Sequence, residues 1–125
     1  MLQNLGTLAS APPHVLLLRQ LAAVRNSRPF RNITAGEDEL LRELIARWHY
    51  SNEITLADVI RLRSGISAPT AYRRLLGLRN KRFVQFVDHP DDRRKKFVCP
   101  SPLAKDYIRE LQLAVFRAMH VSALS

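Results

Sequence analysis

The side chains best suited to chemistry lie in two places. Arg73 follows Ser67, Pro69 and Thr70 within one short segment, and Arg93, Arg94, Lys95 and Lys96 form an unbroken basic run directly after Asp91 and Asp92. A guanidinium can give two parallel hydrogen bonds to guanine O6 and N7, and a run of cations can follow a line of phosphates. Between Arg61 and Phe97, counting Arg63 and Arg74, eleven basic residues face three acids, whereas the whole chain of 125 residues carries a net charge of +9. Nearly all of the surplus is therefore in this stretch, and a function that uses the charge is expected there. Such a balance attracts nucleic acid or an anionic membrane surface; a solvated basic surface with no charged partner is the alternative.

Other chemistry finds little footing. His14, His49, His89 and His120 are spread along the chain with no i, i+4 pair, and Cys99 is the only cysteine, so no zinc-ligand spacing and no metal site is expected. There is no phosphate-binding glycine loop and no Gly-x-Ser-x-Gly turn, so neither catalysis nor a cofactor is expected. Cys99 reads as a small buried hydrophobe in a strand, with a redox sensor as the other reading. One cysteine cannot make an intramolecular disulfide, and the sequence contains neither a signal peptide nor about 20 consecutive apolar residues. The expectation is a soluble cytoplasmic protein with no membrane partner.

The elements that must position these residues follow from periodicity and caps. At 46% hydrophobic and 25% charged residues the chain should fold, and its length suits a single domain over 1–125. Met1 to Pro12 is expected to be loose, with Pro12 and Pro13 starting a helix. From His14 to Val24 the apolar residues Val15, Leu17, Leu18, Leu21 and Val24 are dense enough to require burial on more than one side. Thr34 with Glu37 has capping-box spacing and opens a helix through Leu40, Leu41, Leu44, Ile45 and Trp48, ending near Tyr50 or Asn52. A second such box, Thr55 with Asp58, opens a short helix with Leu56, Val59 and Ile60 inside.

Gly65 permits a tight turn, and Ser67 is a natural N-cap for a helix with Pro69 in its first turn. Ala71, Leu75 and Leu78 then share one face, leaving Pro69, Arg73, Gly77 and Asn80 opposite, flanked by Thr70. Two short helices joined by such a turn make a helix-turn-helix. Phe83 to Asp88 and Phe97 to Cys99 read as the strands of a hairpin, with His89-Pro90-Asp91-Asp92 as turn chemistry. Ser101 and Pro102 open a last helix with Leu103, Tyr107, Ile108, Leu111, Val115 and Met119 as its apolar stripe. The fold class expected is mainly α with a small β-hairpin wing: a winged helix-turn-helix core at 35–100, flanked by helices at 13–30 and 101–120.

This order, with Asp92, Arg94, Pro100, Ser101 and Ala104 at the spacing of an Asp-x-Arg, five residues, Leu-Thr, two residues, Gly pattern, resembles the MarR family of bacterial and archaeal transcriptional regulators. Ile54 to Val59 and Thr70 to Leu75 are also similar to such proteins, so the resemblance covers roughly Ala35 to Asp106. Pro100, Ser101 and Ala104 depart from the pattern, and Arg82 stands where the family usually has a glycine. The resemblance implies a regulator of transcription on double-stranded DNA, with Arg94 inserted in the minor groove, flanking helices that form a homodimer, and a small-molecule effector that modulates binding.

Read as chemistry, Ser67, Pro69, Thr70 and Arg73 at the start of a recognition helix would face the major groove, with Arg74 beside them. Arg73 would bond guanine, while Thr70 would touch a thymine methyl or a phosphate, and Gly77 would allow close approach to the DNA backbone. The wing cations Arg93, Arg94, Lys95 and Lys96 would follow the backbone, and Asp92 would pair with an arginine and hold the loop's shape. Two other functions fit the same elements: a winged-helix module that binds protein partners, and a replication or partition initiator of a mobile element. The apolar first and last helices also imply a homodimer, with two-fold pairing and an inverted repeat as its site.

Overall fold

A computed structural model of the chain describes residues 11–62 and 65–124. Residues 1–10 of the segment expected to be loose, and Arg63, lie outside the described residues. Helices α1 (Pro13–Asn26), α2 (Ala35–Trp48), α3 (Leu56–Ile60) and α4 (Ala68–Asn80) precede strands β1 (Val84–Asp88) and β2 (Lys96–Pro100), and α5 (Pro102–Leu124) closes the order. The chain is thus mainly helical with one small antiparallel hairpin, an arrangement compatible with a helix-turn-helix followed by a wing. It separates into two compact units, Asn32–Lys105 and a unit made of Met1–Arg31 with Asp106–Ser125.

In the Asn32–Lys105 unit, local signals in the sequence set the helix starts. Thr34 and Glu37 form a complete capping box, and so do Thr55 and Asp58. Ser67 Oγ accepts from the Thr70 amide to cap α4, and Gly65 takes a positive φ of 91° in the turn before it. The core is built from Leu40, Leu41 and Leu44 of α2, Val59 of α3, and Ala71, Leu75 and Leu78 of α4, closed by Phe83, Val84 and Val98. The inner faces expected from the i, i+4, i+7 spacing are therefore the buried ones.

Helix α4 ends in a Schellman motif. The Phe83 amide donates to the Leu78 carbonyl at 2.9 Å and the Arg82 amide to that of Arg79 at 3.0 Å, with Arg82 at φ 71°. This geometry asks for a left-handed residue, which glycine adopts without steric cost and arginine does not. Phe83 is accordingly the hydrophobic residue that seals the motif against Leu78, and β1 begins one residue later than expected. The Ser101 hydroxyl donates to the Arg82 carbonyl and accepts from the Ala104 amide at 3.1 Å, joining the start of the hairpin to the start of α5.

The hairpin pairs Val84 with Pro100 and Asp88 with Lys96, and Phe86 stands opposite Val98. The Val98 amide and carbonyl point away from β1: the amide donates to the Ile54 carbonyl at 2.8 Å, and the carbonyl accepts from Trp48 Nε1 at 2.9 Å. Thr55 also bridges Phe97, so the residues just before α3 act as a third, one-bridge strand on the outer edge of β2. This contact ties α2, α3 and the hairpin together, and it satisfies backbone groups that a two-stranded ribbon would leave to water.

In the other unit, α1 buries Leu16 and Val24 but leaves Leu18 64% exposed. Phe30 packs its ring on Tyr107, with centroids 5.0 Å apart. The apolar stripe expected on α5 is displaced toward its C-terminal end. Ala114 and Ala118 are the buried residues, whereas Val115, Phe116 and Met119 are exposed. Small alanines carry little weight in a hydrophobic pattern, so the face buried within one chain is marked less clearly in the sequence than the larger apolar side chains beside it.

Candidate nucleic-acid interface

Two groups of polar residues can be described on the Asn32–Lys105 unit. The first is the start of α4. The Ser67 hydroxyl lies 2.9 Å from Thr70 Oγ1, and an Arg73 guanidinium nitrogen lies 3.5 Å from the same Thr70 oxygen. Ser67, Pro69 and Arg73 are exposed and Thr70 is half-buried. Tyr72, 42% exposed, adds an aromatic ring next to Arg73. Apolar spacing alone does not single it out; its place at the border of the buried face, 100° from Ala71 and 60° from Leu75 on the helical wheel, is the available signal.

Arg74 and Gly77 do not belong to this face. A Cβ built on Gly77 would overlap the Glu37 carboxylate, and one on Gly36 would come within 2.6 Å of the Arg74 guanidinium. Arg74 also approaches Glu39 at 3.8 Å. Residues 74, 77 and 81 follow at i, i+3 and i+7, and this flank of α4 lies against the start of α2. The expectation that Gly77 serves close approach to DNA is therefore corrected: the glycine makes room for Glu37. Arg74 is likewise turned toward α2 rather than grouped with Arg73.

Glu37 is the buried charge of this contact, with 7% of its surface exposed. Its carboxylate accepts from the Thr34 amide at 2.9 Å and from Lys81 Nζ at 2.5 Å. Burial pushes its pKa up, but the Lys81 hydrogen bond, the Thr34 amide and the Lys81 charge outweigh it and hold the carboxyl below its ordinary value. Lys81, one of the basic residues of the charged stretch, is thus engaged inside the fold.

The second group is the turn and return strand of the hairpin, where a wing is expected. Arg93, Arg94, Lys95 and Lys96 are all exposed, the Arg94 side chain at 93%. Asp92 Oδ1 accepts from the Arg94 amide at 3.0 Å and from its Nε at 3.3 Å, and the Asp92 carbonyl accepts from the Lys95 amide at 3.0 Å. The Arg94 amide first, then its side chain and the nearby Lys95 charge, hold the Asp92 carboxyl below its ordinary value. Lys96 pairs with Asp88 across the strands at 2.5 Å, and His89 lies against Phe97 with ring centroids 5.0 Å apart. At the middle of β1, Arg79 stacks over Phe86 at 4.9 Å.

The inner flank of the wing meets α3. Arg94, Lys95 and Lys96 line an open cleft of about 440 Å³ together with Thr55, Leu56, Asp58 and Arg61. Arg61 comes beside these cations because the Thr55–Phe97 bridge and the hydrogen bond from the Val98 amide to the Ile54 carbonyl set α3 next to β2, a pairing with no signal in the sequence.

Cys99 is half-buried on β2, and burial raises its pKa, which leaves it a protonated, weakly nucleophilic thiol. No group of three His, Cys, Asp or Glu side chains suited to a metal occurs among the described residues, and none of their helices is long and apolar enough to cross a membrane. No family model, curated protein or solved structure matches the chain.

Proposed function

We propose that the protein is a sequence-specific double-stranded DNA-binding regulator of transcription, a winged helix-turn-helix protein of the kind the MarR resemblance implies. The observation that carries the reading is the pairing, within one compact unit, of an exposed Ser67–Thr70–Arg73 surface on the second helix of a helix-turn-helix with an exposed four-cation wing. An α-helix fits the major groove and reads it with its N-terminal residues, which makes Arg73 the base-reading residue and Thr70 its support. Arg94 reaches the minor groove from a loop that Asp92 holds in shape. The flanking helices α1 and α5 pair two copies through the exposed Leu18, Phe116 and Met119, so that the operator is an inverted repeat with half-sites about 10 base pairs apart.

The test compares affinity for a selected duplex and for random duplex over a range of salt. The wild-type protein should prefer the selected site and bind more weakly as salt rises. Arg73→Ala should lose about 1 to 3 kcal/mol on the selected site and much less on random DNA. Equal losses on both would make Arg73 a backbone contact, and a wild-type protein that binds no duplex at low salt would overturn the reading.

A further inference from the structure

We propose that the cleft between α3 and the wing is a seat for the sugar-phosphate backbone of one DNA strand, and that Arg61 is the residue that completes it. The inference rests on the DNA-binding reading and adds a contact which the helix-and-wing arrangement alone does not contain.

The cleft takes cations from two separate elements, Arg61 at the end of α3 and Lys95 with Lys96 and Arg94 on the wing. At about 440 Å³ it is within the ~300–1,000 Å³ range of ligand clefts and larger than a single small ion needs. Its one acid, Asp58, is turned into its own capping box, where Oδ2 accepts from the Thr55 amide at 3.0 Å. That hydrogen bond, with the Thr55 hydroxyl and the charges of Arg61 and Arg47, holds its carboxyl below the ordinary value, so four cations face one carboxylate.

The four cations have different standing. Lys96 and Arg94 are each tethered to a wing acid, Asp88 and Asp92. Arg61 and Lys95 make no ion pair among the described residues, and they belong to opposite walls of the cleft. A phosphodiester between them gives a direct counter-charge to two cations that Asp58 and Asp92 reach only through longer-range attraction. Because α3 is anchored to β2 through Thr55 and Ile54, the walls are held at a set separation, and the contact fixes register on the backbone without reading bases.

The experiment measures binding of one selected and one random duplex across salt for the wild type, Arg61→Ala, Arg61→Lys and Lys95→Ala. Arg61→Ala should lower the slope of log K against log salt by about 1 and weaken both duplexes by the same factor; Arg61→Lys should restore the slope. Arg61→Gln replaces Arg61→Ala should the latter fail to fold, with the same expectation. An unchanged slope on removing the Arg61 charge, in a protein that still binds DNA, overturns the seat and leaves the DNA reading standing. Titration with inorganic phosphate, followed by NMR at the Arg61 and Lys95 side chains, tests the seat itself. Saturable shifts at both residues in a protein that binds no duplex would leave a site for free phosphate and overturn both the DNA reading and the seat for a DNA strand. Shifts spread equally over Arg93 and the other exposed cations, or no shifts, would overturn the seat.

Discussion

Gly77→Ala should destabilise the protein, although alanine at an ordinary helix-interior position stabilises by about 1 kcal/mol relative to glycine. The new Cβ would occupy the place of Glu37 Oε2, with Cδ only 2.9 Å away, so the carboxylate must move. Its other oxygen holds the Thr34 amide and Lys81, and a swing that clears the methyl breaks both. A capping bond is worth about 1 kcal/mol and a hydrogen bond to a charged partner about 1.5 to 3 kcal/mol. Set against the helical gain, the net loss should be about 1.5 to 3 kcal/mol. In a Glu37→Ala background the obstacle is gone, and the same substitution should become stabilising by about 0.5 to 1 kcal/mol. The coupling between the sites should thus be about 2 to 4 kcal/mol, read by urea unfolding of the wild type, both single variants and the double variant. Equal stabilisation by Gly77→Ala in both backgrounds would refute the packing argument, because it would mean that Glu37 moves aside without losing its partners.

Three further outcomes follow from the same contacts. Because the Glu37 pKa is lower in the fold than its ordinary value, its contribution to stability is full above that value and is lost as pH falls through the folded one; Glu37→Gln should therefore narrow its stability gap to the wild type between about pH 6 and about pH 3, and a constant gap would remove the ion pair from the account. Arg82→Gly should stabilise the protein by about 0.5 to 1 kcal/mol in thermal or urea unfolding, by relieving the left-handed backbone at the end of α4; a loss of stability would show that the arginine side chain contributes more than its backbone costs. Sedimentation equilibrium at micromolar concentration should find a dimer, and Phe116→Glu should convert it to monomer by placing a charge on the exposed apolar face of α5; a monomeric wild type would count against the proposed two-fold pairing.

The sequence by itself determined the features that depend on neighbours a few residues apart. Thr34 with Glu37, Thr55 with Asp58 and Ser67 before Pro69 mark helix starts because a side chain meets an amide two or three residues ahead, and the apolar spacing of Ala71, Leu75 and Leu78 names the buried face of α4. The hairpin and the charge of its turn were legible for the same reason. Tertiary structure decided which cations remain available. Lys81 is drawn to Glu37 and Arg74 to the start of α2, while Arg61 joins the wing because Thr55 pairs with Phe97 and the Val98 amide donates to the Ile54 carbonyl. It also decided that Gly77 makes room for a carboxylate and that in the second half of α5 Ala114 and Ala118 are buried while Val115 and Met119 are exposed. In each case the deciding partner lies far along the chain or on another element, and composition and periodicity carry no record of which element that will be.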